Sequence, residues 1–153
     1  MDYFNILVVI VTKDFLAEQE AVILNFSTIS GFYTKSVNVL ELYDIEQAFN
    51  NCTTMYNYIY FAGHGNNDGT VIGDNENHYC WVDIIKIINN CGCICEDTLI
   101  FIQGCYSSNA SKFILANCHR VNQVIGFETE LSNAEAYVSF INFLYYITHK
   151  VLF

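Results

Sequence analysis

Strand-length apolar runs alternate along this chain with longer stretches of helical period. Residues 4–11 are apolar at nearly every position, the pattern of a strand covered on both faces. Residues 13–29 carry Phe15, Leu16, Ala21, Val22, Leu24 and Phe26 at helical spacing, and Gly31 closes the segment. A second, more peripheral strand is expected over residues 32–40. A short helix follows over 44–52, capped by Asp44 with Gln47 three residues on. Residues 58–62 form a third strand that runs into Gly63-His64-Gly65. The polar loop 66–77 then contains a small hairpin arm at 70–72. Helical period returns over 81–90, and a fourth buried strand covers 98–103, ending at Gly104-Cys105. A helix over 107–117, a strand over 121–127 and a helix over 132–149 complete the pattern. Ser132 and Glu135 form a capping box at the start of that last helix. The alternation predicts an α/β fold: a three-layer sandwich with a mainly parallel sheet and helices on both faces, in one domain over 1–153.

Composition narrows the class. Of 153 residues, 53% are apolar and 14% charged, which excludes a disordered chain. The net charge of −10 argues against a nucleic-acid surface, which needs a basic patch, and leaves a neutral or basic partner. No apolar run is long enough to span a membrane. The start of the chain has no basic region before its apolar run and no small-residue cleavage site, so no export signal is expected. The seven cysteines then read as reduced thiols, and the address as cytoplasmic.

In parallel sheets, sites form beyond the carboxyl ends of strands, where both His64 and Cys105 fall. If their strands are neighbours, the tips lie about 5 Å apart and the side chains can share a crevice. A cysteine nucleophile needs a base to raise its thiolate fraction and backbone N–H donors for the oxyanion. Glycines beside both residues permit close approach, and a helix starting near Ser107 favours a thiolate at Cys105. The coincidence points to acyl transfer through a thioester. Taken singly, a cysteine at a strand end is usually a small core residue, and a loop histidine is usually solvated.

The run Tyr58-Ile59-Tyr60-Phe61-Ala62-Gly63-His64-Gly65 resembles the histidine motif of caspase-like (clan CD) cysteine peptidases. Thr98-Leu99-Ile100-Phe101-Ile102-Gln103-Gly104-Cys105 resembles their cysteine motif. Val124-Ile125-Gly126-Phe127, with Ser132-Asn133-Ala134-Glu135-Ala136 and an aromatic helix, is similar to the tail of CHAT-type members. The resemblance implies a caspase-like sandwich and an endopeptidase acting on protein or peptide substrates without a cofactor. It makes His64 the general base or acid and Cys105 the nucleophile. The backbone amides of Gly65 and Cys105 become the oxyanion hole, and Gln103 lines the substrate pocket. Metacaspases carry Asp where Gln103 stands, and caspases use more arginines than the single Arg120, so neither specificity transfers. The absence of a processing linker and the short chain imply control by a regulatory partner or by homo-oligomerisation. A catalytically inactive caspase-like interaction module is the alternative. A flavodoxin- or receiver-like domain is weaker, because Val11-Thr12-Lys13 offers no acidic pocket at the end of the first strand.

Other residues receive plainer readings. Asp68, Asp74 and Glu76 follow His64 in a loop that is solvated by default, with a calcium site or an acidic subsite as alternatives. Asp68 is the substrate-binding candidate, although Asp68-Gly69 also suits a turn. Cys91, Cys93 and Cys95 lack the paired spacing of a zinc cluster and read as a cysteine-rich loop, so no metal is expected. His119 and His149 sit near helix ends and receive no catalytic role. The aromatics of the last helix, Tyr137, Phe140, Phe143 and Tyr145, belong to the core or build an interface.

Overall fold

The computed structural model describes residues 4–14, 21, 32–53 and 55–152. The helix expected over 13–29 lies outside the described residues, apart from Ala21 and a turn at Lys13 and Asp14. The described elements are β1 (Phe4–Ile10), β2 (Phe32–Asn38), α1 (Leu42–Asn50), β3 (Tyr56–Ala62), β4 (Val71–Gly73), β5 (His78–Cys80), α2 (Trp81–Asn90), β6 (Ile94–Gln103), α3 (Ser108–Asn117), β7 (Val121–Ile125) and α4 (Asn133–Leu152). Five strands form one sheet in the order β2-β1-β3-β6-β7, every pair parallel, and β4 and β5 form a separate antiparallel hairpin.

Side-chain alternation divides the core between the two faces of this sheet. Leu7, Val9, Ile59, Phe61, Ile100 and Ile102 face one side, where α1, α2 and α3 add Ile45, Phe49, Ile84, Ile88 and Ile114. Ile6, Val8, Tyr58, Tyr60, Leu99 and Phe101 face the other, where α4 adds Phe140, Phe143, Leu144 and Ile147. Burial on both faces is why the central strands read as unbroken apolar runs rather than alternating ones. The three-layer α/β sandwich expected from the sequence is the fold observed. On α4, Phe140 and Phe143 belong to the core, packed edge-on and tilted against Tyr60, whereas Tyr145 faces outward. No helix among the described residues is long and apolar enough to cross a membrane.

Three local expectations are corrected. Helix α1 starts at Leu42, and Asp44 is its third residue rather than its cap, its carboxylate accepting from the N–H groups of Leu40 and Glu41. Strand β6 starts at Ile94, so Cys95 lies in a strand rather than a loop. The third correction concerns the thiols: Cys52 and Cys93 form a disulfide, while Cys80, Cys91, Cys95, Cys105 and Cys118 are free. Sheet register explains the pairing. Tyr56 opens β3 opposite Ile94 and donates its N–H to the carbonyl of Cys93, so the segments entering β3 and β6 run side by side. Their cysteines sit 5.9 Å apart at Cα, within disulfide reach.

Candidate active site

The sheet register fixes the placement of the candidate residues. Ile10 pairs with Ala62, and Ala62 pairs with Gln103, so the ends of β1, β3 and β6 lie on one line across three adjacent strands. The ladder continues one step further, with Val11 N–H donating to the Ala62 carbonyl and Gly63 N–H to the Gln103 carbonyl. His64 and Cys105 each follow that line by two residues. A pocket of about 30 Å³ is lined by both, together with Thr12, Asp14, Gly63, Gln103, Gly104, Leu131 and Ala136. The expected neighbourhood of His64 and Cys105 is therefore present.

The two turns carrying them are in close backbone contact. A Cβ built on Gly65 would lie 2.3 Å from the Cys105 carbonyl oxygen and 3.7 Å from the Cys105 nitrogen. Only glycine fits there, and the backbones of the two expected oxyanion-hole residues therefore share one small region. After Cys105 the chain turns sharply into α3 through Tyr106, whose φ of +55° is unusual for a bulky residue. That turn is pinned by Tyr106 N–H donating to the Thr129 carbonyl and Ser108 N–H to the Phe127 carbonyl. Ser107 is buried at the bend; its hydroxyl donates to the Ile102 carbonyl and accepts from Phe127 N–H. The sulfur of Cys105 receives the Leu131 N–H at 3.2 Å and lies 3.9 Å from the Leu131 carbonyl, so this residue's backbone fixes where the sulfur sits.

On the other side, the β4–β5 hairpin holds the histidine segment. Gly65 bridges to Ile72, and Gly73 N–H donates to the His64 carbonyl. Nε2 of His64 lies 2.7 Å from Oδ2 of Asp14 and 3.7 Å from Oδ1 of Asp74. Asp74 comes from the hairpin turn, and its Oδ2 accepts from Lys13 N–H, while its Oδ1 is buried with no hydrogen-bond partner among the described residues. The 2.7 Å separation is that of a charge-assisted hydrogen bond and is shorter than the spacing of about 3 Å between two ligands on one small cation. The cluster is thus, in geometry, a histidine hydrogen-bonded to a carboxylate with a second carboxylate nearby. A cleft of about 1100 Å³ opens on this side of His64, lined by Lys13, Asp14, Asp74 and Glu76 among others, and Cys105 is not part of its wall.

The remaining expectations divide. Gln103 lines the small pocket but is buried, and its Oε1 accepts from the Tyr60 hydroxyl, leaving its amide NH2 as the group free to meet a ligand. Asp68 sits exposed in the turn closed by Gly69 N–H and the Asn66 carbonyl, and none of the pockets at His64 or Cys105 is lined by it. The carboxylates beside His64 are Asp14 and Asp74 instead. Sequence reasoning misses Asp14, because Val11-Thr12-Lys13 shows no acid at the end of the first strand; the Asp that follows Thr12-Lys13 is the available signal. Arg120 is used structurally, donating to the carbonyls of Ile88, Cys91 and Ile94. The Cys91-x-Cys-x-Cys run does not converge: Cys93 is disulfide-bonded, Cys91 donates to the Ile88 carbonyl, and Cys95 receives the Asn57 amide. No protein-family model matches the chain, and no curated protein matches it.

Proposed function

We propose that this chain is a cysteine endopeptidase of the caspase-like (clan CD) type. The observation that carries the reading is the common register of β3 and β6, which puts His64 and Cys105 two residues beyond paired strand ends and against one pocket. In this mechanism His64 takes the Cys105 thiol proton, and the thiolate adds to the scissile carbonyl carbon. The Gly65 and Cys105 N–H groups receive the resulting oxyanion. Collapse breaks the C–N bond as His64 returns the proton to the leaving amine, which leaves a thioester on Cys105. Water then adds, giving up a proton to His64, and the thioester breaks to release the acid and the thiol. No cofactor takes part. The Gln103 amide faces the substrate.

Substrate access suggests control. A volume of about 30 Å³ at Cys105 holds one or two water molecules, so a substrate side chain needs the pocket widened, and Leu131 on its wall is proposed to move. A regulatory protein partner, or a second copy of the chain, is the proposed cause of that movement. The same small pocket favours the second reading, an inactive caspase-like interaction module. Labelling of Cys105 by an electrophilic peptide probe separates the two. The peptidase reading expects labelling and peptide cleavage, both lost in Cys105→Ala and His64→Ala variants that keep their circular dichroism. Cleavage that survives in folded Cys105→Ala sinks it. A concentration series, with and without candidate partners, tests the control step: turnover independent of both would remove it. A cytoplasmic address goes with this reading. There the Cys52–Cys93 pair would be held reduced, and thiol counting on protein alkylated at lysis checks that.

A further inference from the structure

We infer that Asp14 is a positioning residue for His64, so that the site is a relay of acid, base and nucleophile drawn from three adjacent strand ends. The inference rests on the peptidase reading for its purpose but on geometry for its content. In the sheet β1 lies beside β3, and β3 beside β6. Asp14, His64 and Cys105 follow these three strands in that spatial order, one strand spacing of about 4.8 Å per step. Asp14 is fixed at the turn leaving β1, where its N–H donates to the Thr12 hydroxyl at 3.1 Å. Its Oδ2 then lies 2.7 Å from His64 Nε2.

The chemistry follows from which ring nitrogen is engaged. A carboxylate can only accept, so the hydrogen between Nε2 and Asp14 Oδ2 belongs to the ring. Neutral His64 is then the Nε2–H tautomer, which leaves Nδ1 as the ring nitrogen with a lone pair free to accept a proton in the proposed mechanism. When that proton arrives, the Nε2 edge of the imidazolium faces two carboxylates: Asp14 through its hydrogen bond, and Oδ1 of Asp74, which has no hydrogen-bond partner among the described residues, at 3.7 Å. Among the described residues, the charged and titratable groups around the ring are Lys13 and Asp14 from the turn after β1, Asp74 and Glu76 from the β4–β5 turn, and Cys105 from the turn into α3. Lys13 and Glu76 are exposed and face each other at 4.0 Å, so the two aspartates are the groups that act on the ring. Asp14 acts through the ring rather than on the reacting carbon in this assignment. It sets the tautomer and holds the ring in place.

The test uses two readouts on the full chain. The first is ¹⁵N NMR of histidine-labelled protein, with His64 assigned by a His64→Gln variant. The second is the rate of Cys105 alkylation by iodoacetamide, followed by peptide mapping so that the other thiols do not interfere. Wild type should show His64 protonated at Nε2. Asp14→Asn should mix the tautomers and slow Cys105 alkylation about fivefold, a modest loss because the pair is half-exposed. Asp14→Glu should recover at least half of the rate. A wild-type ring protonated mainly at Nδ1 overturns the inference without any variant, as does an Asp14→Asn protein with unchanged tautomer and rate. A chain that passes both tests yet cleaves no peptide would uphold the relay and sink the peptidase.

Discussion

Replacing Gly65 with alanine puts a methyl carbon 2.3 Å from the Cys105 carbonyl oxygen, and the obstacle is backbone rather than a side chain that can swing away. Real Cβ atoms keep at least 3.0 Å from such neighbours, so the two turns must part by about 0.7 Å or more. Little give is available. The histidine segment is held by the Gly73–His64 bond, and the cysteine turn is held by Tyr106 and Ser108 on the 127–129 segment. Overpacking of this kind costs about 1–3 kcal/mol. For a chain of this size that lowers Tm by about 3–10 °C. Separation of the turns also moves the Gly65 and Cys105 amides apart, so Cys105 should be labelled more slowly by a peptide electrophile, whose adduct needs both. Gly92→Ala is the control: a Cβ there meets nothing within 4 Å, and its stability should match wild type within about 0.5 kcal/mol. The assays are urea unfolding and probe labelling on both variants. A Gly65→Ala protein as stable and as reactive as Gly92→Ala would show that the turns do not meet as closely as the geometry requires, and the oxyanion-hole assignment would fall with it.

Three further outcomes are expected. Reduction of the Cys52–Cys93 bond opens a loop with a sequence separation of 41, worth about 4 kcal/mol in chain entropy, so dithiothreitol or Cys52→Ala should lower the urea midpoint clearly; an unchanged midpoint refutes the cross-link. Burial, with Cys91 nearby as a lesser cause, raises the Cys118 thiol from 9.0 to about 11. The unfolded chain then gives up its proton first. The contribution of Cys118 is therefore complete below pH 9 and declines as pH rises from 9 towards 11, and unfolding of Cys118→Ala should lack that decline. Chelation should leave the fold and its Tm unchanged, because the cysteines do not converge on a cluster; about one tightly held zinc per chain, with unfolding on its removal, would contradict this.

Most of the sheet was legible because its central strands bury both faces and so advertise themselves as apolar runs. What the sequence hid was polar structure inside the elements. Glu96 and Asp97 are exposed within β6, beside a register irregularity between Tyr56 and Tyr58, and so the first third of that strand read as loop. At α1 the same acid, Asp44, suits either the cap or the third helical residue, and pattern alone could not choose between positions that both satisfy orphan N–H groups. The disulfide was hidden for another reason. Its expectation was argued from compartment, whereas the pairing is set by which strand entries run side by side.

The candidate site divides along the same line. His64, Gly65 and Cys105 could be found because each is local to a strand end, so a short motif carries the position as well as the residue type. Asp74 stands out only as one of three acids in a loop, and Asp14 not as a partner of His64, because what places them at the ring is sheet order and a hairpin. Nearness in sequence favoured Asp68, four residues after His64, yet the turn at Asn66–Gly69 leaves it outside both pockets. The hairpin instead folds Asp74 back onto the ring, and β1, paired directly to β3, brings Asp14 across from fifty positions earlier. The general point is physical. A parallel sheet gathers the residues that follow its strands, in the order of the strands in space rather than in sequence. Once the order β1-β3-β6 is known, the first acid after β1 becomes the natural partner of a histidine after β3. The order itself depends on crossovers, and no local pattern encodes it.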